Sequence, residues 1–128
     1  MDIGFLVDSS NAVSQQNWNR LKSFAKNMVD SFNPSWSGNH IGFMSYDNMA
    51  RLHFAFNALR GDRYTAKGVK RLMDNVKFQQ GGARRIDTAL NTAYRDLFSI
   101  SGGYRPNARQ VKMVTTSGIV SMFFEINA

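Results

Sequence analysis

The chain has 128 residues, of which 43% are hydrophobic and 12% aromatic, so it can build one globular core and is not intrinsically disordered. It carries 16 Lys and Arg against nine Asp and Glu, a formal net charge of +7, and its lack of cysteine excludes disulfides and thiolate metal sites. No run of residues approaches the roughly 18 apolar positions that cross a bilayer, so the sequence predicts no membrane span.

The first predicted elements are a buried strand and a long helix. Residues 2–7 form an apolar run that is typical of a strand covered on both faces. From Gln15 to Phe32 apolar residues recur at helical spacing. Ser14 is suited to cap the start of this helix, and Asn33-Pro34 ends it.

A hairpin is predicted next. Residues 40–46 and 51–56 have the composition of strands, and the short turn between them makes the third strand antiparallel to the second. The alternation of Leu52, Phe54 and Phe56 predicts that these three side chains share one face.

Two helices and two strands complete the predicted elements. Apolar residues recur at helical spacing over residues 65–77 and again over residues 85–100. Residues 111–115 are expected to form a fourth strand. The apolar residues 119–126 follow the hairpin-like link Ser117-Gly118, so we expect them to add an antiparallel edge strand beside the fourth.

The order of these elements predicts a doubly wound α/β fold with a mostly parallel sheet and helices on both faces. In the strand order 3-2-1-4, the first and fourth strands are neighbours and their carboxyl ends meet. This edge of the sheet is where open α/β folds place their sites, and it brings Asp8 and Ser10 close to Thr116 and Ser117. We expect residues 1–128 to form a single domain.

Five stretches of the chain resemble the von Willebrand factor type A family. They run in chain order and cover residues 2–10, 16–18, 40–46, 81–90 and 107–118. The resemblance implies a Rossmann-like fold and a non-enzymatic module that binds other proteins, often in extracellular matrix or adhesion molecules. The family's fold usually continues further, so we expect it to be incomplete at the C-terminus, with residues 119–128 as a divergent tail.

The resemblance also implies a metal-ion-dependent adhesion site made of five oxygens from three loops. The donors that this sequence retains are Asp8, Ser10 and Ser117, and Ser117 stands where the family has an Asp. Ala12 stands where the first loop has a second Ser, and either Ala83 or Arg84 stands where the second loop has a Thr. The sequence therefore predicts a degenerate site.

Ligand chemistry leads to the same expectation. Mg²⁺ prefers six oxygens in octahedral geometry and is usually held by one or two carboxylates. One carboxylate and a few hydroxyls beside arginines make a poor cage, so no cofactor is required and Mg²⁺ or Mn²⁺ is expected to bind weakly at most. We expect Asp8 to be neutralised by Arg84 or Arg85 in a charge-assisted pair. Asp8 and Ser10 would otherwise bond to their own loop.

A second candidate site is the tripeptide Arg60-Gly61-Asp62, in the predicted loop after the third strand. It is similar to the integrin-recognition motif of matrix proteins. The alternative is an ordinary turn with Gly61 at positive φ and Asp62 near a helix start.

No Ser has a His partner that the sequence supports, so an enzyme is not predicted, and a hydrolase using Asp8 with Mg²⁺ ranks last.

These features predict a secreted protein-binding module of adhesion or matrix type, with its leader absent from this chain. Its partner would be a matrix component or receptor, met through residues such as Arg60–Asp62, Arg84 and Arg85. The positive charge supports an alternative, a domain that binds a glycosaminoglycan or other acidic polymer with strong salt dependence. The apolar edge strand at the C-terminus predicts a homodimer joined through it.

Overall fold

A computed structural model describes residues 1–116 of the protein in full and residues 119–125 as backbone. The strands are β1 (Asp2–Asp8), β2 (His40–Tyr46), β3 (Ala50–Phe54), β4 (Gln110–Thr116) and β5 (Ile119–Glu125). The helices are α1 (Gln15–Phe32), α2 (Ala66–Asp74) and α3 (Ile86–Thr92), with a 3-10 turn at Gly61–Arg63 and a π-helical turn at Ala93–Leu97. No helix in the described part of the chain is long and apolar enough to cross a membrane.

The strands form one sheet in the order β3-β2-β1-β4-β5. β1 lies at the centre and runs parallel to β2 and β4, whereas β3 and β5 are antiparallel edge strands. The predicted strand order and parallel centre are confirmed, and a strand is present over most of the predicted tail. The end of that prediction, residue 126, and the link at residues 117–118 lie outside the described residues.

Helices cover both faces of this sheet, as predicted. On one face, β1 contributes Ile3, Phe5 and Val7 to a core that α1 and α2 complete. On the other face, Leu6 packs with side chains of α3 and the π-helical turn. Because neighbouring residues of a strand point to opposite faces, the even-numbered Asp8 emerges on the side of α3.

The third predicted helix changes type partway along and ends earlier than expected. It was expected to continue to residue 100, but α3 ends at Thr92 and the chain continues in a π-helical turn. This turn lies against bare strand backbone, since a Cβ on Gly42 would come within 2.6 Å of Leu97 and one on Gly4 within 2.9 Å of Phe98. The glycines therefore let the wider turn pack directly on the sheet.

The predicted face of β3 is also wrong. The pairing of β2 with β3 shifts register, so that Phe43 lies opposite Phe54 while Met44 lies opposite Leu52, which leaves His53 as the extra residue of a bulge. Phe54 consequently joins the core under α1 and α2, whereas Leu52 is exposed. Phe56 lies beyond the strand and packs in the core on the α3 side.

The second helix is shorter than predicted. It ends at Asp74 instead of residue 77. Lys22 of α1 donates to the carbonyl oxygens of Asp74 and Val76, at 3.3 and 2.8 Å. These carbonyls at the end of the helix are thus satisfied from α1 and not by a further helical turn.

Candidate functional site

The candidate site lies at the carboxyl edge of the sheet, where β1 and β2 end side by side at Asp8 and Tyr46. The loop before α3 crosses this edge and is bound to the loop after β1. Gly81 N donates to the carbonyl oxygen of Ser9, and Asn11 N donates to that of Gly82, both at 2.8 Å. The first and second loops of the predicted site are therefore in direct contact.

Asp8 is fully buried and paired with an arginine. Its Oδ1 accepts a hydrogen bond from Ser10 N at 2.8 Å, and its Oδ2 lies 3.2 Å from Arg84 Nη1. Its own backbone N–H donates to Thr115 Oγ1 at 2.9 Å. Of the two arginines expected beside Asp8, Arg84 forms the pair, whereas Arg85 lies in a bidentate contact with the exposed Asp87.

The remaining predicted metal donors do not extend this arrangement. Ser10 is buried, and its Oγ accepts a hydrogen bond from Ala12 N at 3.3 Å, so the hydroxyl closes its own turn. Ala12 and Ala83 are exposed at the edge and carry no side-chain oxygen. Ser117 lies outside the described residues.

The described donors do not fit a divalent cation. Within residues 1–116, no group of three or more Asp, Glu or His side chains is placed to hold a metal ion. The carboxylate oxygen that a metal would use, Asp8 Oδ2, instead faces a guanidinium. A cation bound there would meet the positive charge of Arg84 at close range, where charge repulsion is strong.

The sequence interpretation missed a second buried carboxylate at this edge. Asp47 directly follows β2 and is 2% exposed. Its Oδ2 accepts from Gly82 N at 2.9 Å, and its Oδ1 accepts from Met49 N at 2.8 Å and lies 3.5 Å from Arg51. A Cβ on Gly81 would collide with the same carboxylate. Asp47 therefore fixes the glycine loop that presents Arg84, and its position after a buried strand, like that of Asp8, was the available signal.

Tyr46 supports the site from below. Its hydroxyl donates to the carbonyl oxygen of Thr115 and links β2 to β4 beneath Asp8. Burial, together with the nearby negative charge of Asp8, raises the pKa of Tyr46. The phenol therefore remains neutral and acts as a hydrogen-bond donor at physiological pH.

The outer surface of this edge carries exposed arginines beside an exposed methionine. Its exposed residues include Asn48, Met49, Arg84 and Arg85, with Met49 61% exposed. The Arg85–Asp87 pair is exposed to solvent on both sides and is therefore weak, so a carboxylate of a partner can replace Asp87. This face can therefore offer guanidinium groups to an acidic partner.

The tripeptide Arg60–Asp62 lies elsewhere. All three residues are exposed, and Gly61 has φ +55°, as the turn alternative required. The neighbouring Tyr64 bonds through its hydroxyl to Ile41 N, at 2.8 Å, near the start of β2. The tripeptide thus sits at the amino edge of the sheet, and the structure does not bring it together with Asp8.

The structure also forms a Ser–His pair that the sequence did not indicate. Ser45 Oγ lies 2.7 Å from His53 Nε2 across β2 and β3. Ser45 is 4% exposed, and burial lowers the pKa of His53. In the described residues no carboxylate contacts His53, and a buried hydroxyl has no access to substrate, so the pair serves as a cross-strand link at the bulge.

Comparison with known proteins identifies relatives over almost the whole chain. The family model for the von Willebrand factor type A domain matches residues 2–126. Human matrilin-1 is 29% identical over 117 residues, which are 91% of this chain and 23% of matrilin-1. Human integrin alpha-D is 29% identical over 118 residues, which are 92% of this chain and 10% of that protein.

Solved structures give the same result for the fold. Proximal thread matrix protein 1 from the mussel byssus matches with a TM-score of 0.81 and 24% identity, over 90% of this chain and 30% of that chain. Another structure of that protein, with a zinc-occupied MIDAS motif, matches with a TM-score of 0.64 and 27% identity, over 76% of this chain and 24% of that chain. The present chain spans less than a third of the length of these relatives.

Proposed function

The chain belongs to the von Willebrand factor type A family, and we propose that it is a non-enzymatic binding module of matrix or adhesion type that recognises its partner without a metal ion. The observation that carries this proposal is the contact of Arg84 with the buried Asp8. In this arrangement the Arg84 guanidinium is a positive charge that the protein itself supplies. It pairs with the carboxylate that a metal ion would need.

The proposed partner is an acidic protein surface in the extracellular matrix or on a cell-surface receptor. Arginine forms bidentate, charge-assisted hydrogen bonds with carboxylates, so an Asp or Glu of the partner can bind at the exposed Arg85. Similarity to matrilin-1 and to an integrin supports a protein partner of matrix or adhesion type and an extracellular location. The zinc-containing MIDAS motif belongs to the mussel protein, and we do not extend its metal to this chain.

This proposal is tested by binding to an array of purified matrix proteins and integrin ectodomains. We expect binding to at least one of them that is unchanged by EDTA and weakened about tenfold by Arg85→Ala, the loss expected for one charge-assisted pair. Arg95→Ala is the matched control, because Arg95 forms a similarly exposed pair with Asp96 outside the site. Binding that requires Mg²⁺ or Mn²⁺, or that responds equally to both variants, would contradict the proposal.

A second proposed contact is the exposed tripeptide Arg60–Asp62. Its exposure supports presentation of the Arg and Asp side chains to a receptor. Adhesion of integrin-bearing cells to the immobilised protein tests this, with Asp62→Glu as the variant, because it keeps the charge and changes only its reach. Equal adhesion to the wild type and to Asp62→Glu would exclude the contact.

The predicted homodimer remains a proposal that the edge position of β5 supports. An edge strand has backbone N–H and C=O groups on one side without a strand partner, and these can pair with a second copy. Light scattering coupled to size-exclusion chromatography across a dilution series tests it. A mass equal to that of the monomer at every concentration would exclude the dimer.

A further inference from the structure

A basic groove lies beside α2, away from the Asp8 site. It has a volume of about 450 Å³ and is lined by the cations Arg63, Lys67 and Arg71 and by Leu59, Gly68 and Leu72. We call it the α2 groove. Thr65 also lines it, so the groove combines three cations with polar and apolar groups.

The three groove cations are not neutralised within the part of the chain that the structure describes. No carboxylate of residues 1–116 forms an ion pair with Arg63, Lys67 or Arg71. Nearby lysines differ, since Lys26 pairs with Asp74 at 2.6 Å and Lys70 pairs with Asp30 at 2.7 Å. Lys67 and Arg71 also border the neighbouring depression that contains Lys70 and Asp74, so these two cations are shared between it and the groove.

Two of the cations are aligned along α2. Lys67 and Arg71 are four residues apart on this helix, so they lie on one helix face with a rise of about 6 Å between them. Arg63 lies in the 3-10 turn before α2 and lines the same groove. Gly68 holds α2 close to the preceding loop, since a Cβ there would lie 2.7 Å from the carbonyl oxygen of Arg63 and 3.1 Å from Leu59. The groove is therefore built by this close packing.

We propose that the α2 groove binds a sulfated polysaccharide. Such a chain carries anionic groups at regular intervals, and sulfate oxygens accept charge-assisted hydrogen bonds from arginine and lysine. The C–H faces of its sugar rings can pack on Leu59 and Leu72. No aromatic ring lines the groove, whereas proteins that bind single-stranded nucleic acid stack the bases on aromatic side chains. The observations therefore favour a polysaccharide over a nucleic acid.

The test measures binding of a heparin hexasaccharide by calorimetry at low and at physiological salt. We expect the affinity to fall with increasing salt, as for other polyanions, and to fall at least ~10-fold in the double variant Lys67→Glu/Arg71→Glu. The control is Arg20→Glu/Arg109→Glu, which changes two exposed arginines outside the groove and lowers the net charge equally. The control is expected to stay within about twofold of the wild type, because a local site does not depend on overall charge.

Further binding measurements test which ligand the groove prefers. Equal weakening by the two double variants would overturn the proposal in favour of a diffuse positive field. Equally tight binding of a desulfated hexasaccharide, of an oligothymidylate or of an oligoglutamate would overturn the assignment to sulfated sugar. Amide chemical shifts that move on binding near residues 63–72, and native near-UV spectra of both variants, would support it. Because Arg85 is unchanged throughout, failure here leaves the proposed protein-binding function untouched.

Discussion

At the two ends of β1, Asp2 and Asp8 are fully buried carboxylates, and each is paired with an arginine from a distant part of the chain. Arg105 holds Asp2 through its backbone N–H at 2.6 Å, its Nε at 2.9 Å and its Nη2 at 2.7 Å, and it also donates to the carbonyl oxygen of Met1. Arg84 reaches Asp8 through Nη1 alone at 3.2 Å, among the contacts of described residues.

The difference separates a structural pair from a pair at a candidate site. At the amino end, one residue satisfies the carboxylate with both backbone and side chain, so the pair ties the segment before β4 to the central strand. At the carboxyl end, Arg84 comes from a loop that is itself held by Asp47 and the glycines. An Asp–Arg pair therefore stabilises the fold at the amino end of β1, and a second Asp–Arg pair presents a positive charge to solvent at its carboxyl end.

The largest expected effect is that of Arg105→Ala. The change removes the guanidinium from the buried Asp2 and leaves it with the backbone N–H of residue 105 and the charge of the nearby Met1 amino group. Removing one partner of a buried pair typically costs 3–5 kcal/mol, and because Arg105 is itself about one-third exposed we expect about 3 kcal/mol. Urea unfolding followed by circular dichroism measures the loss. Asp2→Asn/Arg105→Ala is the control and is expected to recover part of it, and a loss below that of Arg84→Ala would reverse the comparison.

Arg84→Ala is expected to have the second largest effect. It also uncovers a buried carboxylate, but the guanidinium contact is longer and made by one nitrogen, so we expect a loss of about 2 kcal/mol. The same urea titration measures it. Asp8→Asn/Arg84→Ala should restore most of the stability, because no buried charge remains without a partner. If Arg84→Ala were neutral, Asp8 would not depend on the Arg84 guanidinium.

A third prediction concerns the gain of a metal site. Ala12→Ser/Arg84→Thr removes the guanidinium that faces Asp8. It supplies a hydroxyl at the first-loop position and at one of the two second-loop positions, 83 or 84, that match the family's Thr. We expect Mn²⁺ at ten times its dissociation constant to stabilise this variant by about 1.4 kcal/mol, and to leave the wild type unchanged. Thermal unfolding with and without Mn²⁺ measures this. Ala12→Ser alone serves as the control, and equal stabilisation of the wild type would show that Arg84 does not block the ion.

Local signals explain what the sequence predicted well. The bounds of α1 were predicted correctly because the residues next to each end of the helix determine where it begins and ends. Ser14 Oγ accepts from Asn17 N at 3.1 Å at the start, and Asn33 adopts the left-handed conformation with φ 47° at the end. The strand β2 was predicted with equal accuracy, since its seven residues are all buried. The meeting of β1 and β4 at Asp8 followed from the strand order, whereas the place of the glycine loop at this edge was implied by the family resemblance.

Long-range packing explains what the sequence missed. The π-helical turn depends on two glycines of β1 and β2, which lie far from it in the chain. The bulge at His53 depends on the pairing partner of β3, and no residue type within the strand marks it. Asp47 looked like an ordinary turn residue, because its hydrogen bond to Gly82 joins positions 35 residues apart. The choice of Arg84 over Arg85 likewise depends on how the loop crosses the sheet edge.

The smallest expected effect is a loss of folding stability at acid pH, and it differs between the two ends of β1. At the amino end, His40 is 3% exposed, its Nε2 lies 2.7 Å from the carbonyl oxygen of Trp36, and its buried Nδ1 has no hydrogen-bond partner. Burial lowers the pKa of His40, the hydrogen bond with the Trp36 carbonyl opposes this, and the charges of Arg105, Asp2 and the Met1 amino group act in smaller, partly opposing ways. At the carboxyl end, the raised pKa of Tyr46 keeps this group neutral over the same range.

A lowered histidine pKa means that the unfolded chain binds the proton more tightly than the folded one. The contribution of the neutral histidine to the free energy of unfolding is therefore fully present above the ordinary histidine pKa of about 6.5, and it is lost as the pH falls below that value. His53, whose pKa burial also lowers, contributes in the same direction, so the test compares His40→Gln and His53→Gln with the wild type. Urea unfolding at about pH 7 and pH 5 should show a smaller acid loss for each variant than for the wild type. The reduction should be larger for His40→Gln, because the unpartnered Nδ1 of His40 would carry the new proton without a hydrogen bond. If His40→Gln lost as much stability at pH 5 as the wild type does, His40 would not be the source of the acid sensitivity.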